Sequence, residues 1–161
     1  MKEITNNLYI GSLIDLQEFS LEEDAFVHAT QTTHYQIMGW NWTTNKPNRN
    51  HPNYIIWEDN NRLSLNWVDG PAHLYKWSGP ETFIRILDFI DSWIEDRKVF
   101  IHCNQGISRS PTLGLLYLAK RLKIIPDDTF LSAKKEFMNI YPTYNPSGIS
   151  NYVNQSWSEI E

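Results

Sequence analysis

The stretch Ile101-His102-Cys103-Asn104-Gln105-Gly106-Ile107-Ser108-Arg109-Ser110-Pro111 decides the fold, and it holds the only cysteine of the chain. The apolar run 99–101 that leads into it predicts a buried strand, and the run 112–121 that follows it predicts a helix. A thiol therefore lies in a tight loop between a strand and a helix, and a guanidinium follows it in the same loop.

The residue types of this loop predict a phosphate-binding nucleophile. A helix N-terminus and nearby cations favour the thiolate form of a cysteine such as Cys103, and a thiolate is a strong nucleophile. The backbone N–H groups of residues 104–109 precede or open the helix, so they lack helical partners and can surround an anion. Gly106 permits backbone geometry that a side chain hinders. Arg109 offers a planar fork for two phosphate oxygens, and Ser110 places a hydroxyl near the sulfur to assist its departure.

A lone cysteine is more often a buried structural residue than a nucleophile. Here a histidine before it, and a glycine, an arginine and a serine at these spacings after it, would co-occur by chance on the order of once in 10⁵ cysteines. The predicted catalytic residues of the loop are therefore Cys103, Arg109 and Ser110, and the predicted substrate-binding residues are Asn104, Gln105, Gly106, Ile107 and Ser108. His102 points to the other side of the strand, where we expect it to organise the loop by hydrogen bonds; direct general-base catalysis is the alternative.

Asp69 is the predicted general acid. The departing oxygen of a phosphate ester needs a proton, and Asp69 follows the strand-like run 63–68 and precedes Gly70-Pro71, on a loop that can approach Cys103. The alternative is an aspartate that only forms a turn. The competing carboxyl groups lie in a predicted helix or turn: Asp59, Asp88 and Asp91.

The order His102-Cys103, five residues, Arg109-Ser110 resembles the signature loop of the cysteine-dependent protein tyrosine phosphatases, and residues 108–112 resemble its dual-specificity branch. Further stretches resemble the same branch at 7–11, 65–69, 89–91, 116–118 and 145–146. The resemblance implies hydrolysis of phosphate monoesters on protein Tyr and Ser/Thr through a cysteinyl phosphate, with Asp69 as the acid, without cofactor or metal. Asp69 lies further before the cysteine than is usual in the branch, so the loop 70–78 is expected to be longer.

Strand and helix patterns alternate along the chain of 161 residues. They predict a single α/β domain over residues 1–161, with a central, mostly parallel, twisted sheet flanked by helices on both faces. At about residues 30–53 the sequence predicts an irregular excursion, without regular structure apart from a short helix near 35–40. Ser78 and Glu81 are spaced as a capping box and predict a helix start.

Composition narrows the range of partners and compartments. The net charge of −5 argues against broad attraction to nucleic acid or to an anionic membrane. One cysteine excludes an internal disulfide framework, and the histidines lack the spacing of metal ligands. No apolar run reaches the length of a membrane span, and no signal-peptide pattern is visible, so we expect a cytoplasmic protein. The expected partner is a phosphorylated protein or peptide.

Three other functions stay open at the level of sequence. A phosphatase-like hydrolase of RNA 5′-triphosphate or phosphoinositide is one, although the loop 104–108 has no lysine for a lipid headgroup. A non-catalytic phosphate-binding module is a second, although the chain keeps a candidate nucleophile, arginine and acid. A sulfur-transfer enzyme is the third, which Asp69 and the Arg109-Ser110 pair disfavour.

Overall fold

The computed structural model describes residues 1–161. Six strands and five α-helices follow one another along the chain. Their bounds are β1 Lys2–Thr5, β2 Leu8–Ser12, β3 Ala25–His28, α1 Gln31–Met38, β4 Ile56–Asp59, β5 Arg62–Leu65, α2 Gly79–Trp93, β6 Val99–Cys103, α3 Arg109–Leu116, α4 Phe130–Ile140 and α5 Gly148–Gln155. Helix α3 continues as a wider π turn over Tyr117–Arg121.

The strands form one sheet in the order β1-β2-β6-β3-β5-β4. Strand β6 runs parallel to both of its neighbours, β3 runs parallel to β5, and only the edge strands β1 and β4 are antiparallel. All five residues of β6 are buried, as its apolar sequence predicts for an interior strand. Cys103 is the last residue of β6, at the carboxyl end of the parallel strands, where open α/β sheets bind ligands.

The two faces of the sheet are covered by different elements. Ile101 and Cys103 of β6 point into the main hydrophobic core, which also holds the buried residues of α2 to α5. Phe100 faces the other way and stacks on Phe19 with 4.3 Å between ring centroids. On that second face His34 of α1 bonds to Ser64 of β5 at 2.8 Å. The predicted fold class, a mostly parallel sheet with helices on both faces, is confirmed.

Helix α2 begins at Gly79, where the spacing of Ser78 and Glu81 predicts a helix start, but the capping box itself is absent. Ser78 has helical backbone angles, because a 3-10 helix at Ala72–Trp77 runs directly into α2. Its side chain caps no N–H group and instead accepts a hydrogen bond from the indole Nε1 of Trp67 at 2.8 Å. The predicted capping box is therefore wrong, and the loop after Asp69 is a short helix that packs against α5.

The segment 30–53 begins with more order than its composition predicts. Helix α1 occupies Gln31–Met38, earlier than the expected 35–40, and Thr30 caps it by accepting a hydrogen bond from the N–H of Thr32. Gly39 ends the helix in the left-handed region, at φ 69°. Turns and bends without strands follow from residue 40 to residue 55. None of the helices is long and apolar enough to cross a membrane.

Candidate active site

The backbone amides of the loop between β6 and α3 point toward the concave side of the loop and have no hydrogen-bond partner in the chain. The backbone N–H groups of residues 104–108 donate to no acceptor in the chain. Gly106 has φ 73°, and a Cβ atom there would lie 2.8 Å from the carbonyl carbon of Gly11. Five consecutive free amides beside the first turn of α3 form a concave anion-binding nest.

Hydrogen bonds to the loop carbonyls hold this arrangement. The N–H of Leu13 donates to the carbonyl of Asn104 at 3.2 Å, and the N–H of Asn145 donates to that of Ile107 at 2.8 Å. The hydroxyl of Tyr141 donates to the carbonyl of Gly106 at 2.6 Å. Because the carbonyls are bonded outward, the amides of the same peptide groups remain directed inward.

The nest is the floor of a pocket of about 120 Å³. Its walls are Asp69, Cys103, Asn104, Gln105, Ile107, Ser108 and Arg109. The structure therefore brings together the candidate nucleophile, arginine and acid, and four of the five predicted substrate-binding residues. Gly106 does not line the pocket, since it packs on Gly11 behind the loop.

The Arg109 side chain is buried and only partly hydrogen-bonded. Its Nη1 donates to the carbonyls of Ala29 and Trp67, at 3.1 and 2.8 Å. Its Nε is buried without any partner in the protein. An unpaired buried donor on a cation is costly, and here it belongs to a pocket wall that also carries the free amides. The Nε edge of the Arg109 guanidinium is therefore available to donate a hydrogen bond to an oxyanion.

Ser110 lies behind the thiol. Its hydroxyl oxygen is 3.3 Å from Sγ of Cys103 and 3.0 Å from the carbonyl oxygen of Gly11, and Ser110 is fully buried. One hydroxyl proton serves two acceptors, so it can turn from the Gly11 carbonyl to the sulfur when the sulfur carries negative charge.

Asp69 reaches the pocket from the loop after β5. Its side chain is exposed, and Oδ1 accepts a hydrogen bond from the hydroxyl of Ser147. The backbone N–H of Ser147 donates in turn to the hydroxyl of Ser108 at 3.0 Å. Ser147 therefore links the loop that carries Asp69, called the acid loop below, to the cysteine loop.

His102 lies on the opposite face of β6 from the thiol, as its position next to Cys103 predicts. It is fully buried, and burial lowers its pKa to about 4, so the imidazole is neutral at physiological pH. Its Nδ1 is 3.4 Å from the carbonyl oxygen of Cys103. This contact is compatible with a role in organising the loop.

Several contacts around the pocket involve residues that sequence reasoning missed. The hydroxyl of Thr30 donates to Oδ1 of Asn104 at 3.0 Å, which ties the start of α1 to the cysteine loop. Tyr141 and Ser147 act from the segment around α4 and α5. The Thr30 cap carried a usable signal, since threonine is a preferred N-cap residue. Tyr141 and Ser147 carried none, because their contacts depend on how the helices pack.

Comparisons with known proteins agree with this geometry. No protein-family model matches the chain. The tyrosine-protein phosphatase vhp-1 of Caenorhabditis elegans is 30% identical over 146 residues, which are 90% of this chain and 20% of that protein. Dual specificity protein phosphatase 1 of Mus musculus is 40% identical over 68 residues, 41% of this chain and 18% of that protein. The crystal structure of DUSP15 covers 98% of this chain and 86% of its own at a TM-score of 0.64 and 16% identity.

The fold is that of the cysteine-dependent protein tyrosine phosphatases. In sequence the chain is similar to phosphatases of the dual-specificity branch. It spans about 20% of the length of the curated relatives that it matches first.

Proposed function

We propose that this chain hydrolyses phosphate monoesters on protein Tyr and on Ser/Thr through a cysteinyl phosphate. The single observation that carries the proposal is the pocket in which Cys103, five free amides and the unpartnered Nε of Arg109 converge. Such a pocket is complementary to a phosphoryl group during transfer, when charge accumulates on its three equatorial oxygens. The names of the curated relatives, which are protein phosphatases, support a phosphorylated protein or peptide as substrate.

In the first step the Cys103 thiolate attacks phosphorus in line with the ester oxygen. The P–O bond to the substrate breaks as the S–P bond forms, and Asp69 donates its proton to the leaving oxygen. Arg109 and the loop amides hold the other three oxygens. In the second step Asp69 takes a proton from water, the water oxygen attacks phosphorus, and the S–P bond breaks. The Ser110 hydroxyl donates to the departing sulfur, so phosphate and the free thiolate are released.

The proposal extends to the chain as a whole. We propose one catalytic domain over residues 1–161 that needs neither metal nor cofactor. A nucleophilic thiol is lost when it is oxidised, so a reducing compartment such as the cytoplasm suits it. A protein substrate is favoured over nucleic acid or an anionic membrane surface because the net charge is −5.

Initial rates on nitrophenyl phosphate in the presence of a chelator test this function. Wild type should turn over, and Cys103→Ser should not, while it keeps its affinity for phosphate esters because the nest and Arg109 remain. Acid quenching of wild type during turnover, followed by peptide mapping, should find phosphate on Cys103. Activity that survives the substitution, or that requires a divalent metal, contradicts the proposed mechanism.

A further inference from the structure

A second cleft lies beside the phosphate pocket. Its volume is about 180 Å³. Its walls are mostly apolar, with Tyr54, Val68, Leu74 and Trp77 near its mouth. Small-molecule sites usually measure about 300–1,000 Å³, so this cleft has the size for one side chain rather than for a whole cofactor or metabolite.

The two pockets share a wall. Val68 lines the cleft and Asp69, the next residue, lines the phosphate pocket. Trp67, which also lines the cleft, accepts the 2.8 Å hydrogen bond from Nη1 of Arg109 through its carbonyl oxygen. A substrate peptide held in the phosphate pocket can therefore reach the entrance of the cleft.

The sheet gives the distance between the two sites. The phosphate pocket lies at the end of β6 and the cleft at the end of β5, with β3 between them. Neighbouring strands are about 4.8 Å apart, so the two sites are about 10 Å apart, which an extended chain rising about 3.3 Å per residue spans in about three residues. The cleft is thus placed to receive a side chain about three positions from the phosphorylated residue.

The walls of the cleft indicate what that side chain is. Val68, Leu74 and Trp77 are 38%, 39% and 59% exposed, an unusual concentration of large apolar groups around one opening. Arg49 is the only charged residue of the lining, and its guanidinium carbon lies 5.5 Å from the centre of the Trp77 ring. It forms no salt bridge in the protein. An aromatic ring packs favourably on such walls, and a carboxylate satisfies the free cation.

We propose that this cleft is a specificity site that binds an aromatic side chain of the substrate peptide about three positions from the phosphorylated residue, with the carboxylate of an adjoining acidic residue paired to Arg49. The inference rests on the proposed function and names the peptide class that the same active site selects.

Binding of phosphotyrosine peptides to the Cys103→Ser protein tests the proposal without turnover. Fluorescence anisotropy compares an Ala-only peptide with peptides that carry a Phe-Glu pair two to four positions before or after the phosphotyrosine. One of these placements should bind about tenfold more tightly than the Ala-only peptide, since a buried side chain and an ion pair together supply about that factor. Further Phe-Ala and Ala-Glu peptides separate the two contributions.

Substitutions assign the preference to the cleft. Arg49→Gln should remove most of the gain due to Glu, and Trp77→Ala should remove most of the gain due to Phe. Trp77 is exposed, so its truncation leaves no cavity in the core. Arg85→Gln is the matched control, because Arg85 is another exposed cation that pairs with Glu58 at 3.1 Å, on a surface that the cleft does not include. It should keep the full preference.

Equal affinities for all peptides, or a preference that Arg85→Gln lowers as much as Arg49→Gln does, overturn the proposal. Association of the protein with itself that Arg49→Gln abolishes, measured by sedimentation, also overturns it, because the occupant is then a second copy. Failure of the proposed function has a different signature. In that case wild type does not hydrolyse nitrophenyl phosphate, whatever the peptide-binding data show.

Discussion

His28 and His102 are joined by a hydrogen bond of 2.7 Å between Nδ1 of the first and Nε2 of the second, and both imidazoles are fully buried. Arg62 donates through Nε to Nε2 of His28 at 3.0 Å. The proton of neutral His28 therefore lies on Nδ1 and is donated to His102. The proton of His102 then lies on its own Nδ1, directed at the carbonyl oxygen of Cys103. A chain of donors from Arg62 thus fixes the tautomer of the histidine next to the thiol.

This pair predicts acid sensitivity of the fold. Burial lowers the pKa of His102 from 6.5 to about 4 and lowers that of His28 well below 6.5. Between the ordinary histidine pKa of 6.5 and the lowered pKa values of the folded protein, the unfolded chain binds protons that the folded chain does not. The free energy of unfolding therefore falls as the pH drops from 6.5 toward 4. The slope is about 1.4 kcal/mol per pH unit for each histidine. Urea titrations at pH 7, 6 and 5 measure it.

A histidine substitution separates this effect from the titration of carboxyl groups. His28→Gln removes one of the two buried imidazoles and should reduce the pH slope of the unfolding free energy, even if the variant is less stable at every pH. His73→Gln, at an exposed position, is the control for replacing a histidine. An unchanged slope in His28→Gln shows that the buried pair does not govern the acid response.

Sequence reasoning reached the cysteine loop and the strand and helix beside it because those residues are neighbours along the chain. Helix α4 buries Phe130, Ala133 and Phe137 at helical spacing, a pattern that can be read directly from the sequence. Ser78 shows the limit of local patterns: its sequence context fits a cap, but the indole of Trp67 takes its hydroxyl. Strand β1 was missed because it is short and half exposed, at the edge of the sheet.

Contacts between distant segments were not predictable in the same way. The bond from Thr30 to Asn104, the bond from Ser147 to Asp69 and the outward bonding of the loop carbonyls join segments far apart in sequence. Each depends on the register of the sheet and on how α4 and α5 pack on it. The residue types of the active site are therefore readable from sequence, whereas the groups that orient them require the fold.

The role of Asp69 should depend on the leaving group. Phosphoserine leaves as a poorly stabilised alkoxide and needs the proton, whereas nitrophenolate leaves readily without it. General acid catalysis contributes about 10²–10⁴-fold, so Asp69→Asn should approach that loss on a phosphoserine peptide and lose far less on nitrophenyl phosphate. Rates for Asp59→Asn and Asp88→Asn under the same conditions are the controls. If one of those variants shows the dependence on leaving group and Asp69→Asn does not, the acid is assigned to the wrong residue.

Gly106 should be essential for oxyanion binding. Alanine at φ 73° costs about 1–2 kcal/mol, and its Cβ would also lie 2.8 Å from the Gly11 carbonyl carbon. The loop must shift and its amides must diverge. Gly106→Ala should therefore lose at least tenfold in kcat/KM, and inorganic phosphate should no longer raise its Tm as it does for wild type.

Gly39→Ala is a matched control for the backbone strain alone. Gly39 has a similar φ of 69°, but a Cβ there has its nearest neighbour at 4.0 Å, and the residue lies at the end of α1. This variant should lose stability and still bind phosphate with wild-type kcat/KM. If Gly106→Ala behaves in the same way, the close approach to Gly11 is not what shapes the nest.

Gly148 should position the acid loop from behind. A Cβ atom at this first residue of α5 would lie 2.2 Å from the carbonyl oxygen of Gly70 and 2.4 Å from the N atom of Ala72. Gly148→Ala must therefore push away the backbone that follows Asp69. A displacement of about 1 Å can cost about 10²-fold in rate, and here the loss should concentrate on substrates that need the acid. The kcat/KM on a phosphoserine peptide should fall much further than that on nitrophenyl phosphate, as with Asp69→Asn.

Asn151→Ala, at an exposed position on the same helix, is the control and should change neither value. Equal losses on both substrates in Gly148→Ala would mean that the whole pocket is disturbed, and wild-type rates on both would mean that the acid loop does not depend on this contact.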